Sequence, residues 1–173
     1  DLGGYKMEKE TKKTTKLLNP VTTLAAGLAL GAVSRLLDIF TQNLGNIFSQ
    51  MAVWILLGTL IAIYSETARK AMANILPFSL GVLVTYYTAA VITEGIYSGF
   101  TIRAWTVFAF CTPALGFTAW HAKEPGPAAK AIGACIVLAA FITSVVIYDG
   151  PRIYDLIIDG ILIYILFFRK IRR

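Results

Sequence analysis

Six apolar segments follow one another along this 173-residue chain, and charged residues or Gly and Pro separate them. A helix that crosses a bilayer needs ~20 mostly apolar residues, because its backbone must satisfy its own hydrogen bonds in lipid. The segments predict transmembrane helices over residues 20–40, 46–64, 72–92, 104–120, 128–148 and 153–168. We therefore expect an all-α polytopic membrane protein, built as a bundle of six transmembrane helices.

The composition agrees with this fold class. Hydrophobic residues make up 57% of the chain and charged residues 15%, whereas soluble domains carry about 25% charged residues. The net charge of +6 does not predict a nucleic-acid partner, because the basic residues form short clusters between apolar segments. The first apolar run lacks a signal-peptide cleavage site, so we expect it to remain as a helix.

The distribution of lysine and arginine predicts the orientation, because these residues are retained on the cytoplasmic side. Thirteen of the sixteen fall before helix 1, between helices 2 and 3, between helices 4 and 5, or after helix 6. Only Arg35, Arg103 and Arg152 fall on the other side. We expect a plasma-membrane protein with a basic cytoplasmic segment at residues 1–19, a transmembrane domain at 20–168 and a cytoplasmic tail at 169–173.

Polar side chains at membrane depth indicate a binding site, because they are costly in lipid and usually face the bundle interior. Asp155 and Asp159 are one helical turn apart, and Asp159 is the strongest candidate. It either lines a pocket and binds a cationic or hydrogen-bonding solute, or it forms a buried ion pair with Arg35 or Arg103. The full set of predicted ligand-binding residues is Arg35, Asp38, Tyr86, Glu94, Arg103, Tyr148, Asp155 and Asp159. For the charged residues near loops, a solvated position is the alternative.

Small residues on helix 1 form a second feature. Ala25 with Ala29, and Gly27 with Gly31, are four residues apart and therefore share helix faces on which another backbone can approach closely. These four residues either pack against another helix of the same chain or dock a separate membrane subunit.

Signals for catalysis are weak. The single histidine, His121, is expected at an interfacial helix end, and Cys111 and Cys135 fall inside apolar runs, where a thiol acts as a small hydrophobe. The sequence has no Gly-rich phosphate loop, metal-spaced His/Cys cluster or nucleophile elbow, and its acidic residues have no recognisable metal-ligand spacing. We predict no cofactor, no metal site and no enzymatic activity.

Six helices with both termini cytoplasmic, the Ala25–Ala29 face and a polar outer cavity together resemble the substrate-binding S component of an energy-coupling-factor transporter. The resemblance implies that Ala25 and Ala29 dock to a shared transmembrane subunit that rests on two ATPases, and that the outer cavity holds a vitamin or metal ion. The stretch with Arg103, Trp105 and Pro113 is also similar to uncharacterised bacterial six-helix membrane proteins.

Three functions remain open at this point. A solute-binding subunit of an uptake transporter is preferred, and it predicts an outward-facing pocket with saturable binding of a small molecule. A membrane accessory, assembly or immunity protein predicts a packed outer half and a tightly bound partner. A membrane-embedded enzyme requires Asp155 and Asp159 to converge on a water-excluding cavity.

Overall fold

The computed structural model describes residues 17–41, 47–48, 50–95, 98–147, 150–169 and 171. Over these residues the chain is all-α, as predicted. The helices are α1 (Pro20–Phe40), α2 (Met51–Tyr64), α3 (Ala68–Ile92), α4 (Gly99–His121), α5 (Pro127–Ile147) and α6 (Ile153–Ile163), and α6 continues into a π-helical turn, Tyr164–Phe168. Among the described helices, α1, α3, α4 and α5 are long and apolar enough to cross a membrane, whereas α2 is a shorter apolar helix.

Capping side chains set the helix starts. Asn19 accepts hydrogen bonds from the backbone N–H groups of Val21 and Thr22, so α1 begins at Pro20 as predicted. α3 begins four residues before its predicted start, because Thr67 caps it. α4 begins five residues early, where Ser98 accepts from the Thr101 N–H. α2 begins five residues later than predicted.

The glycines of α1 hold it against α3. A Cβ added at Gly27 would be 2.2 Å from the Phe78 carbonyl oxygen, and one at Gly31 would be 2.4 Å from the Val82 carbonyl oxygen. On the facing side, a Cβ at Gly81 of α3 would be 2.9 Å from the Leu24 carbonyl oxygen. This is close backbone packing through small residues, and it is the main contact that α1 makes.

The second half of the fold is a group formed by α2, α5 and α6. These helices pack on one another around buried apolar residues that include Ile63, Ala140, Ile158 and Leu162. Lys123, in the turn after α4, binds the end of α6. Its Nζ donates to three carbonyls there, those of Ile165 (2.7 Å), Leu166 (3.0 Å) and Arg169 (2.6 Å). A side-chain cation that satisfies several terminal carbonyls fixes where this helix ends.

The exterior is apolar, as a lipid-facing surface would be. Phe40 and Val91 are 77% and 79% exposed, and Val21, Phe100 and Val146 are also largely exposed. Together with the four long helices, this exterior marks a membrane-compatible helical protein. The side of the bundle that carries the start of α2 and α6 is called the outer end below, after the predicted topology.

Candidate solute cavity

A cavity of about 890 Å³ lies among α2, α3, α4 and α5. None of the described residues that line it is charged. Its wall is mostly apolar and aromatic, with Trp54 of α2, Tyr86 and Tyr87 of α3, and Trp105 and Phe108 of α4 among the lining residues. Binding sites for small organic molecules commonly have this size and apolar character, with a few polar groups that orient the ligand.

Small side chains create the space for the cavity. A run of small residues on α5 with helical spacing, Ala131, Cys135 and Ala139, lines it. Gly58 of α2 and Gly116 of α4 also line it and make room for the Ile75 side chain of α3, which packs against both. A helix face that lacks large side chains cannot fill the volume opposite it. The gap between α4 and α5 is therefore a direct result of the residues on these two helices.

A proline in α4 is accompanied by two hydroxyl groups in the cavity wall. Pro113 has no N–H to donate to the Ala109 carbonyl, and the Thr112 hydroxyl donates to this carbonyl instead, at 2.7 Å. The Ser79 hydroxyl of α3 donates in turn to the Thr112 oxygen, at 3.3 Å. Both hydroxyl protons are used within the wall, so the Ser79 oxygen is placed to accept a hydrogen bond from a solute.

The aromatic residues at the outer end pack in pairs. The rings of Tyr86 and Tyr87 meet edge to face with centroids 5.4 Å apart, and those of Trp105 and Phe108 do so at 5.8 Å. The Trp54 indole N–H donates to the Phe48 carbonyl at 2.9 Å. These contacts orient flat apolar surfaces around the cavity, against which an aromatic or alicyclic solute can pack.

Of the predicted ligand-binding residues that the structure describes, Tyr86 alone lines this cavity. Its hydroxyl donates to the Asp38 carboxylate of α1, so the two residues do lie together. The buried Arg35 donates through Nε to the Thr93 hydroxyl at 2.9 Å, at the end of α3. The prediction of one polar outer pocket is therefore not matched by this cavity. Arg35 and Asp38 lie on α1, which packs on α3 and contributes no residue to the cavity wall.

Two further predicted residues, Glu94 and Arg103, lie at or near loops. Glu94 follows α3 in the left-handed region, with φ of 52°, and is exposed, as is Arg103 one turn into α4. Tyr148 lies outside the described residues. Exposed positions of this kind agree with the solvated alternative for charged residues beside loops.

Asp155 and Asp159 lie on the opposite side of α2 and α5 from the cavity wall, within the α2–α5–α6 group. Asp155 is fully buried and Asp159 is 7% exposed. Asp155 Oδ2 accepts from the Arg152 backbone N–H at 3.0 Å, whereas the Oδ1 atoms of both aspartates are buried and have no hydrogen-bond partner in the described part of the chain. No described cation pairs with Asp159, so the alternative of an ion pair with Arg35 or Arg103 is not found.

The four small residues of α1 divide into two pairs with different surroundings. Gly27 and Gly31 are buried against α3 and are used within the fold. Ala25 and Ala29 are exposed on the outside of the bundle. Only the alanine pair is therefore accessible to a separate subunit.

The comparisons with known proteins place the chain in a family. The model of DUF6518, a family of unknown function, matches residues 10–157. The chain belongs to this family. No curated protein and no solved structure matches it significantly. The DUF6518 match covers α1 to α5 and the first turn of α6, and thus every described residue of the cavity wall; the comparisons return no energy-coupling-factor component.

The cavity was only partly accessible to sequence reasoning. Trp54, Tyr86 and Tyr87 are recognisable as aromatic residues that can stack on a ligand, and a proline in mid-helix, such as Pro113, often shapes a cavity. The small-residue spacing on α5 at Ala131, Cys135 and Ala139 was the remaining signal. It indicates a face without bulk, but the sequence alone does not say whether a neighbouring helix fills it.

Proposed function

We propose that this DUF6518 protein binds a small, mainly apolar solute in the cavity among α2, α3, α4 and α5, as the solute-binding subunit of an uptake system. The observation that carries the proposal is the uncharged, aromatic-walled cavity of about 890 Å³. A cavity of this size at membrane depth supports occupation by an organic molecule, since apolar groups gain free energy when they leave water.

The wall also supports a chemical class for the solute. It offers flat aromatic surfaces at Trp54 and Trp105 and a hydrogen-bond acceptor at Ser79 near the middle of α3 and α4. No described wall residue has a charge to offset that of an ion. The solute is therefore a neutral molecule with an apolar ring system and a hydroxyl or amide donor.

The uptake role rests on two features. The first is the aromatic outer end of the cavity, at Tyr86 and Trp105, through which a solute from outside would enter. The second is the exposed Ala25–Ala29 face of α1, which leaves room for a transmembrane coupling subunit. Such a subunit, with ATPases, would supply the energy for transport.

Native mass spectrometry of the protein, extracted gently from its own host, tests the proposal. Ala139→Phe fills the cavity from α5, whereas Leu138→Phe is a matched control, because Leu138 is 55% exposed and does not line the cavity. We expect one small-molecule adduct of constant mass in the wild type and in Leu138→Phe, and its loss in Ala139→Phe. An adduct retained by Ala139→Phe would refute this binding site.

A second candidate function is that of an accessory subunit without a solute. The same exposed Ala25–Ala29 face supports it, because α1 packs chiefly on α3 and leaves its other faces uncovered. In this case the extracted protein would carry a stoichiometric membrane partner and no small molecule, and Ala25→Leu would release the partner while Ala139→Phe would not.

A further inference from the structure

The α2–α5–α6 group contains polar side chains that the solute cavity does not use. Buried oxygen atoms without a hydrogen-bond partner among the described residues occur at Asp155 Oδ1, Asp159 Oδ1 and Gln50 Oε1 near the outer end, and at the Tyr64 hydroxyl at the inner end. Gln50, which precedes α2, is 2% exposed. Two aspartates one turn apart would not define a site by themselves. The buried, unpartnered amide oxygen of Gln50, which comes from the start of α2, is a second indication of a ligand.

The depth of Gln50 follows from a contact at the inner end. α2 and α6 run in the same direction and pack together, and the Arg169 guanidinium lies 5.5 Å from the Tyr64 ring centroid. Fourteen residues before Tyr64 is Gln50, and fourteen residues before Arg169 is Asp155. Counted at ~1.5 Å per α-helical residue, and less through the π turn, Gln50 and Asp155 both lie ~20 Å outward of this contact, near the outer ends of α2 and α6.

A second register places α5 at this depth. α5 runs antiparallel to α6, and a Cβ at Gly133 would be 3.7 Å from the Leu166 Cβ. Eleven residues after Gly133 is Ser144, and eleven residues before Leu166 is Asp155. Ser144 is 1% exposed, and its hydroxyl donates to the Ala140 carbonyl at 3.1 Å, which leaves the oxygen lone pairs available.

Three helices therefore bring buried oxygen ligands to one depth, with Asp159 a turn further in. We propose that Asp155, Asp159, Gln50 and Ser144 bind one hard divalent cation, such as Ca²⁺ or Mn²⁺. Carboxylate, amide carbonyl and hydroxyl oxygens are the ligands that these cations prefer. The site goes beyond the proposed solute binding and does not rest on it, because none of its residues lines the cavity.

The charge of the site selects the divalent class. Two carboxylates are buried, and no described cation pairs with either of them. A divalent ion balances both charges. It also offers the unpartnered oxygens a common partner, whereas a monovalent cation leaves a net negative charge in the apolar interior.

The other charged and titratable groups on these helices lie elsewhere. Lys130 near the start of α5, Tyr64 at the end of α2 and Arg169 after α6 lie at the inner end, and Arg152 at the outer end extends to the exposed Tyr154 hydroxyl, at 2.6 Å. Among these described groups the Arg152 guanidinium interacts electrostatically with the Asp155 carboxylate, but it forms no ion pair with it, and no described cation pairs with Asp159. The residues between Ile147 and Gly150 lie outside the described part of the chain.

No group of three or more His, Cys, Asp or Glu side chains converges among the described residues. The proposed site is consistent with this finding, because two of its four ligands are neutral. The spacing of residues in the sequence predicts no metal site for the same reason. Metal-binding motifs are recognised by their His, Cys, Asp and Glu residues, and Gln50 and Ser144 are of none of these kinds.

Mn²⁺ binding to the full-length protein in detergent tests the proposal, by electron paramagnetic resonance after chelator treatment and with Ca²⁺ as competitor. We expect one tight Mn²⁺ per chain, displaced by Ca²⁺, and a higher melting temperature with either ion. Asp159→Asn should weaken Mn²⁺ binding by at least ~100-fold, and Ser144→Ala by ~10-fold. Glu124→Gln, an exposed acidic residue in the turn before α5, is the matched control and should bind as the wild type does.

Ser144→Ala keeps the test valid should Asp159→Asn fail to fold, since it removes a ligand without a change in charge. Absence of tight Mn²⁺ or Ca²⁺ binding in the wild type overturns the proposal. Stabilisation by Na⁺ alone in chelator, or stability that depends on pH alone, would also overturn it. Each of these outcomes is independent of whether the cavity binds a solute.

Discussion

Substitution of Gly27 by alanine should destabilise the protein, because the packing of α1 on α3 leaves no space for a methyl group there. The added Cβ would be 2.2 Å from the Phe78 carbonyl oxygen and 2.9 Å from the Phe78 carbonyl carbon. Both neighbours are backbone atoms, so no side-chain rotation can relieve the contact. The two helices must separate locally by ~1 Å to restore an ordinary C···O distance of ~3.3 Å.

The separation also weakens contacts along the rest of the interface. Gly31 and Gly81 pack against the opposite backbone at similarly short range, and a gap of ~0.5–1 Å forfeits a quarter to a half of the dispersion energy of a contact. Overpacking of this kind costs ~3 kcal/mol at the upper end of its usual range, and alanine regains ~1 kcal/mol through its helix propensity. We expect a net loss of ~2 kcal/mol in the free energy of unfolding.

Reversible unfolding of the purified protein in mixed micelles, followed by tryptophan fluorescence and circular dichroism, measures this loss. Ala29→Val is the matched control: it adds carbon atoms to the same helix at an exposed position, and it should change stability by less than ~0.5 kcal/mol. If Gly27→Ala is as stable as the wild type, or more stable, then α1 does not pack on α3 through these glycines and the argument is wrong.

Three further stability changes and one topology result follow from other contacts. Lys123→Met removes the donor to three carbonyls at the end of α6 and should cost ~2–3 kcal/mol in the same unfolding assay; a neutral effect would contradict its capping role. Trp120→Phe deletes the 3.0 Å hydrogen bond from the indole N–H to the Ser65 carbonyl and should cost ~1–2 kcal/mol, which unfolding without a shift in midpoint would disprove. Asn19→Ala removes the cap of α1 and should cost ~1 kcal/mol, while Asn19→Ser should retain most of the stability. Glu124→Cys, in the turn between α4 and α5, should react with a membrane-impermeant maleimide only in inverted vesicles if the positive residues face the cytoplasm; labelling of intact cells would reverse the predicted topology.

The number and approximate position of the helices were predictable, because long apolar runs have few alternatives in a chain of this composition. The errors lie at helix starts. Hydropathy places the start of α4 after the polar Thr101 and Arg103, but Ser98 provides the cap and the helix begins at Gly99. A capping side chain in the preceding residues decides a helix start, and an average over apolar residues does not detect it.

The candidate site was less predictable for a geometrical reason. Sequence position gives the depth of a residue in the membrane but does not give the direction its side chain takes around the bundle. The sequence predicts the outer side for Asp38, Tyr86 and Asp155 alike. In the structure Tyr86 lines the cavity, Asp38 accepts a hydrogen bond from the Tyr86 hydroxyl, and Asp155 is buried in the α2–α5–α6 group. Those directions are set by the packing of α1 on α3 and of α6 on α2 and α5, which hydropathy does not determine.

The two proposed sites can be tested independently because α5 presents a different face to each. Ala139 lines the cavity, whereas Ser144 is buried and lies on the same face of α5 as Gly133, which packs against Leu166. Five residues separate them, which is a rotation of ~140° around the helix axis. Ala139→Phe should therefore abolish solute retention and leave Mn²⁺ binding intact, while Ser144→Ala should weaken Mn²⁺ binding and leave solute retention intact. If either variant abolished both, the two faces of α5 would not be separate, and the register that places Ser144 beside Asp155 would have to be abandoned.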